Sequence, residues 1–165
     1  MVNYMYYINN FFVYSIIGFF TETLIYTAKD SGILFLWWTP VYGIGVNIII
    51  LIDKYIKKIK TTKFLKLLLL FFISAISLSL TEALGGYLLK WIFGKELWNY
   101  STHKFNIGKY TSLEMCLVWG IGSIIFTYIL KPLTDKIISK IPKYLTYILI
   151  LIFILDIIMT LITKV

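Results

Sequence analysis

Between Tyr144 and Ile162 the chain carries one charged side chain, Asp156, in a run otherwise dominated by Ile and Leu. A stretch of that length and composition is long enough to cross a hydrocarbon layer of about 30 Å as an α-helix. Four earlier runs have the same character, at about residues 4–27, 40–56, 65–89 and 111–130. Lipid offers the backbone no hydrogen-bond partners, so each run is expected to satisfy its own amides as a helix. The expected fold is therefore all-α: a polytopic membrane helical bundle of about five transmembrane helices, in one integral membrane domain covering residues 1–165. Composition agrees. The chain is 59% hydrophobic and 15% charged, where a soluble domain is about half apolar and a quarter charged.

Polar punctuation separates the runs. Lys29, Asp30, Ser31 and Gly32 break the first, and Ile33 to Thr39 form an apolar, Trp-containing loop. Pro40 sits where a first helical turn tolerates it. A lysine-rich loop follows, then a polar loop with Trp91, Trp98 and Tyr100, while Pro132 is expected to end the fourth span. Trp37, Trp38, Trp91, Trp98 and Tyr100 suit an aromatic belt at the outer interface. No basic n-region or small-residue cleavage site precedes the first run, so it is expected to be retained.

Lysine bias sets the expected orientation. The loop after the second span holds Lys54, Lys57, Lys58, Lys60, Lys63 and Lys66, and the one after the fourth holds Lys131, Lys136, Lys140 and Lys143. Those ten face six on the other side: Lys29, Lys90, Lys95, Lys104, Lys109 and Lys164. The bias favours a cell-membrane protein with a cytoplasmic N-terminus and an outside C-terminus.

What the chain lacks excludes several function classes. All 16 basic residues are Lys, which argues against bidentate phosphate recognition and against nucleic acid as a partner. The net charge of +8 is better explained by flanks facing anionic lipid. Without a Gly-rich phosphate loop the chain has no nucleotide engine of its own. Without paired His or Cys/His ligands a tight zinc site is not expected. No nucleophilic Ser with a His partner appears in a span, so an enzyme is the less favoured class. No cofactor is expected, and the single Cys116 excludes an intrachain disulfide.

The candidate chemistry lies in four carboxylates within the spans: Glu22, Glu82, Glu114 and Asp156. None has a basic residue beside it, and an ionisable group at membrane depth is costly enough to read as functional. At about 1.5 Å rise per residue, Glu22, Glu82 and Glu114 come out roughly 24–27 Å from Tyr4, Lys66 and Lys131. Three glutamates at one level suggest a shared site in the outer half. Asp156, roughly 20 Å from Lys143 by the same rise, is the weaker candidate. Small residues line the faces of Glu22 (Ser15, Gly18) and Glu82 (Ala75, Ser79, Gly86), which points both toward helix neighbours. Asn47 shares a face with Gly43 and is placed to bond a carboxyl. Trp98, Tyr100 and Asn106 are the outer-loop candidates for substrate contact, with Gly108 giving a turn its backbone freedom. The plainer alternative for each acid is a protonated carboxyl hydrogen-bonded to a neighbouring helix.

Residues 11–24, FFVYSIIGFFTETL, align without gaps on 71–84, FFISAISLSLTEAL. Phe11/Phe71, Phe12/Phe72, Ile16/Ile76, Thr21/Thr81, Glu22/Glu82 and Leu24/Leu84 match, and Trp38/Trp98 continue the register. A duplication would make spans one–two and three–four parallel-repeat hairpins, as transporters use, with span five added. Low complexity in Ile, Leu, Phe and Lys is the competing explanation.

Further motifs carry a family resemblance: Ser15-x-x-Gly18-x-x-x-Glu22, Pro40-x-Tyr42-Gly43-x-Gly45, Thr81-Glu82 with Gly85-Gly86, Leu97-Trp98-Asn99-Tyr100-Ser101, Phe105-Asn106-x-Gly108 and Trp119-Gly120 before Pro132. Over residues 11 to 135 the chain resembles the bacterial CmpB-like family named for ABC-transporter type IV permeases, which includes the animal transmembrane 229 proteins. It departs from the family pattern at Asn99, where that pattern has Asp, and at Lys109-Tyr110, where it often has Gln-Ile. The resemblance implies a multi-pass membrane protein.

The leading functional expectation is a small permease or permease subunit that moves, or is coupled to, a cation or proton through the carboxylates. Carboxylate oxygens suit hard cations or protons, and residue types alone do not choose between them. A membrane-embedded enzyme or lipid-handling protein using the same acids is the second expectation, and a structural or assembly subunit the third. The expected partners are the lipid bilayer, a second copy of the chain, and a separate ATPase subunit.

Overall fold

The computed structural model describes residues 4–26 and 32–165. Within them are five helices and no strand: α1 (Tyr4–Tyr26), α2 (Pro40–Lys58), α3 (Lys63–Phe93), α4 (Leu113–Ile138) and α5 (Lys143–Lys164). The expected break at Lys29, Asp30 and Ser31 lies outside the described residues. α3, α4 and α5 are each long and apolar enough to cross a membrane.

Local chemistry explains where the helices begin and end. Thr62 caps α3 by accepting from the Leu65 amide at 3.3 Å, and Ser112 caps α4 by accepting from the Met115 amide at 3.3 Å. Such hydroxyl caps satisfy amides that a first turn leaves unpaired. Gly94 closes α3 in the left-handed region, at φ 65°, where a side chain would be strained.

α4 does not stop before Pro132 as the sequence suggests. It runs on to Ile138 through a π-turn over Phe126–Leu130. Proline lacks an amide and its ring clashes with the carbonyl four residues back. The π-turn widens the ladder there: the Lys131 amide reaches the Phe126 carbonyl, and the helix passes the proline instead of ending.

Helices α1 and α2 form one antiparallel hairpin and α3 and α4 a second, with α2 against α3 and α5 packed mainly on α1. The hairpins are tight because small residues sit at the crossings. A Cβ on Gly43 would stand 2.4 Å from the Phe11 carbonyl oxygen, and one on Gly120 would stand 2.6 Å from the Phe71 ring. Close approach of this kind holds helices together where no water is excluded between them. Ser15, Gly18, Ala75, Ser79 and Gly86 are all buried, so the small-residue stripes face the bundle as expected. The apolar core, with Tyr14, Ile49, Leu70, Leu78 and Phe126, fills the lysine-rich half.

Trp38 is not part of an interfacial belt. It is 5% exposed, clamped edge-on by Phe12 of α1 and Phe153 of α5, with centroids at 5.6 and 5.8 Å. Trp37 and Trp91 are exposed, as an interfacial position requires.

Candidate functional site

Glu82 lies on the inward stripe of α3 and is 5% exposed. Its carboxylate collects three donors from three places. Tyr100 Oη of the α3–α4 loop donates to Oε1 at 3.0 Å. Thr111 Oγ1, just before α4, donates to Oε2 at 3.3 Å, and Trp119 Nε1, two turns into α4, donates to the same oxygen at 3.1 Å. A buried carboxylate without such partners would be very costly.

The α3–α4 loop is ordered so that Tyr100 can reach inward. The Tyr100 amide bonds the Lys109 carbonyl at 2.8 Å, and Trp98 Nε1 donates to the Tyr110 carbonyl at 3.3 Å. Asn106 pairs with Ser112 in an isolated antiparallel bridge, and Gly108 takes φ 73° to make the turn between them. Asn99, where the family pattern has Asp, accepts the Ser101 amide on Oδ1 at 2.9 Å. Asn and Asp both stabilise such turns through this oxygen, so the departure preserves the local geometry. Lys109, the other departure, pairs with Glu96 at 2.6 Å. The same carboxylate takes Lys90. Lys109 first, and Lys90 with it, hold the Glu96 carboxyl below its ordinary value.

Glu22 occupies the corresponding position on the first hairpin and is half-buried. Thr39, the residue before α2, directs Oγ1 at its Oε2 from 3.5 Å. The Tyr42 side chain engages the same carboxylate. In both hairpins the glutamate of the first helix thus meets a threonine at the entrance to the second. The threonine preceding each glutamate also behaves alike, Thr21 and Thr81 each bonding the carbonyl four residues back at 2.8 Å.

After burial, Tyr42 and Thr39, the weakest influence on the Glu22 carboxyl is the Glu82 charge. Between them the Tyr42 ring tilts against the Trp119 indole, at a centroid distance of 5.8 Å. Neither glutamate has an ion pair among the described residues.

The other candidates lie apart. Glu114 is in the first turn of α4, and its surroundings are Ser112, His103 and the Phe105 backbone rather than either glutamate. Asn47 donates to the Tyr7 carbonyl of α1 at 3.0 Å, a backbone contact where a carboxyl contact was expected. Asp156 accepts the Phe35 and Leu36 amides at 2.9 and 3.0 Å. With Lys164, which reaches the Ile33 carbonyl at 2.7 Å, it ties the loop before α2 to α5. Among the described residues no group of three or more His, Cys, Asp or Glu is arranged to hold a metal.

Thr39, Tyr42, Thr111 and Trp119 were not identified as carboxylate partners from sequence. Tyr42 and Trp119 do fall in the Pro-x-Tyr-Gly and Trp-Gly motifs, the one signal that could have drawn attention to them.

A family model described as "Putative ABC-transporter type IV" matches residues 9–164. The match extends beyond residues 11 to 135 and takes in α5. No curated protein and no solved structure matches the chain.

Proposed function

The chain belongs to the ABC-transporter type IV family, and on that premise we propose a multi-pass permease whose transport is coupled to a proton or small cation through Glu22 and Glu82. The observation that carries this reading is the pairing itself. One glutamate comes from each hairpin, their partners Tyr42 and Trp119 touch, and neither has an ammonium partner among the described residues. Like charges in one bundle disfavour each other, so holding a proton or cation at one acid favours the ionised form of the other. Hydroxyl, indole and carboxyl groups around them favour a proton or a hard cation over a transition metal.

Around that core the reading has five spans, with α1 and α2 joining the three most apolar helices. The N-terminus is cytoplasmic and the C-terminus outside in the cell membrane, as the lysine bias favours. The two hairpins are copies of one ancestral unit, a reading supported by the repeated Thr–Glu and entrance-threonine contacts. An ATPase, where one is used, is a separate chain, because no nucleotide motif is present here.

The three donors on Glu82 favour a second reading, in which that residue is a structural pin and Glu22 alone titrates. One experiment separates them. The full chain is reconstituted in vesicles holding a pH-sensitive dye, and proton movement is followed under an imposed gradient of pH or of Na+ or K+. Coupling through the pair predicts loss of flux in both Glu22→Gln and Glu82→Gln. A pin predicts that a folded Glu82→Gln protein keeps its flux. If both variants match wild type, the carboxylate mechanism is wrong.

A further inference from the structure

At the lysine-rich end, far from the glutamates, the bundle opens into a groove of about 460 Å³. We propose that this groove binds a phosphate ester group, the chemistry shared by phospholipid headgroups and small soluble phosphate esters.

Three elements build it. α1 contributes Tyr6, α2 contributes Asp53, Lys54 and Lys57, and α4 contributes Lys131 and Asp135. Three ammoniums therefore face two carboxylates. Both carboxylates are already held: Lys57 pairs with Asp53 and Lys131 with Asp135, each at i,i+4. Tyr6 Oη also donates to Asp135 at 2.8 Å. Lys54 has no carboxylate partner among the described residues. Lys66 adds another ammonium at the rim, donating to the Lys57 carbonyl at 3.1 Å. The groove is net positive, and its acids are occupied before any ligand arrives.

The positions are built by the fold. The π-turn over Phe126–Leu130 precedes Lys131 directly. By adding a residue to one turn it rotates everything beyond it. Lys131 then stands over the Tyr6 ring at 5.7 Å, and Thr134 Oγ1 meets Tyr14 Oη at 2.6 Å. π-turns of this sort concentrate at functional sites. Here the turn aims one ammonium into the groove from the side opposite α2.

The ligand class follows from this arrangement. A phosphate ester offers several acceptor oxygens in tetrahedral directions, which suits ammoniums arriving from two walls as point charges. The groove also lies at the ends of membrane-length helices, where headgroup phosphates reside. Nearby lysines add attraction to an anionic surface.

Thermal unfolding of the full chain in uncharged detergent, read by tryptophan fluorescence, tests the proposal. The midpoint is followed against phosphatidylglycerol or glycerol phosphate. The expected result is a saturable rise with phosphatidylglycerol, or with glycerol phosphate if the natural source is soluble. Lys54→Gln should weaken the apparent affinity about fivefold, the factor equivalent to about 1 kcal/mol. Lys54→Arg should restore it. Lys131→Gln should weaken it too, but that variant also loses an ion pair, so Lys54→Gln carries the decision. Lys140→Gln, on the same face outside the groove, should bind like wild type. No rise with either phosphate ester would overturn the proposal. So would equal losses in Lys54→Gln and Lys140→Gln, which would mean diffuse attraction to the lysine-rich face.

Discussion

Tyr100, in the α3–α4 loop, donates its hydroxyl to Oε1 of Glu82 at 3.0 Å. This bond ties the loop to the inward face of α3. The site is therefore coupled to the order of a loop outside the membrane-length helices.

That coupling is measurable. Combining Tyr100→Phe with Glu82→Leu, which removes the acceptor, in a double-mutant cycle should give a coupling of about 0.6 kcal/mol and no more than about 1.7, the average and maximum found for hydrogen bonds between membrane helices. Unfolding from detergent micelles with increasing denaturant would supply the four stabilities. Trp119→Phe should couple to Glu82→Leu to the same extent, because the indole also donates to this carboxylate, sharing Oε2 with Thr111. A coupling near zero in both cycles would mean the carboxylate is held by something other than these donors.

Gly43 and Gly122 make opposite predictions on one substitution. A Cβ on Gly43 would collide with the Phe11 carbonyl and Ser15 Oγ at 2.4 Å, while nothing lies within 4 Å of one on Gly122. Backbone cannot retreat cheaply, so Gly43→Ala should cost about 1–3 kcal/mol, as overpacking does. Gly122→Ala should be neutral or mildly stabilising, since alanine is the better helix former. Equal unfolding midpoints for the two variants would contradict the close α1–α2 crossing.

Asp156 predicts a local effect. Its carboxylate receives the Phe35 and Leu36 amides. Asp156→Ala should release those two amides to hydrogen exchange while leaving the centre of α5 protected. Unchanged exchange at both positions would mean that Lys164 and the packing of Trp38 hold the loop by themselves.

Glu96 gives a pH dependence with a defined sign. Lys109 and Lys90 lower its carboxyl from the ordinary 4.5. A group depressed in the folded state adds stability that is present above its unfolded value and lost as pH falls through the folded one. The loop from Gly94 to Tyr110 should therefore become more susceptible to protease as pH drops below about 4.5, and added salt should mimic the effect because the pairs are exposed. An acid-stable protease acting equally on wild type and Glu96→Gln across that range would refute it.

Much of the architecture was legible from the chain. The helical runs, the small-residue stripes around Glu22 and Glu82, the Gly108 turn and the Thr–Glu match could all be read from composition and from spacing within one segment. Errors arose where one segment meets another. Pro132 was read as a stop because the rule for proline is local, whereas a π-turn upstream lets the helix continue. Trp38 was assigned to the interface by residue type, but Phe12 and Phe153 bury it. Asn47 was matched with a carboxyl, and α1 instead presents it a backbone carbonyl.

The carboxylates show the division most clearly. Sequence by itself determined that acids lie within apolar helices and that Glu22 and Glu82 face inward, because lipid penalises a charge on any outward face. Only the tertiary structure decided which acids meet. Glu22 and Glu82 are linked through the Tyr42–Trp119 contact, and Glu114 turns to the α3–α4 loop. The physical reason is geometric. Helical periodicity fixes the face a residue occupies, but the crossing of two helices and their rotation about their own axes arise from close packing at residues such as Gly43 and Gly120, which no spacing within a single helix encodes.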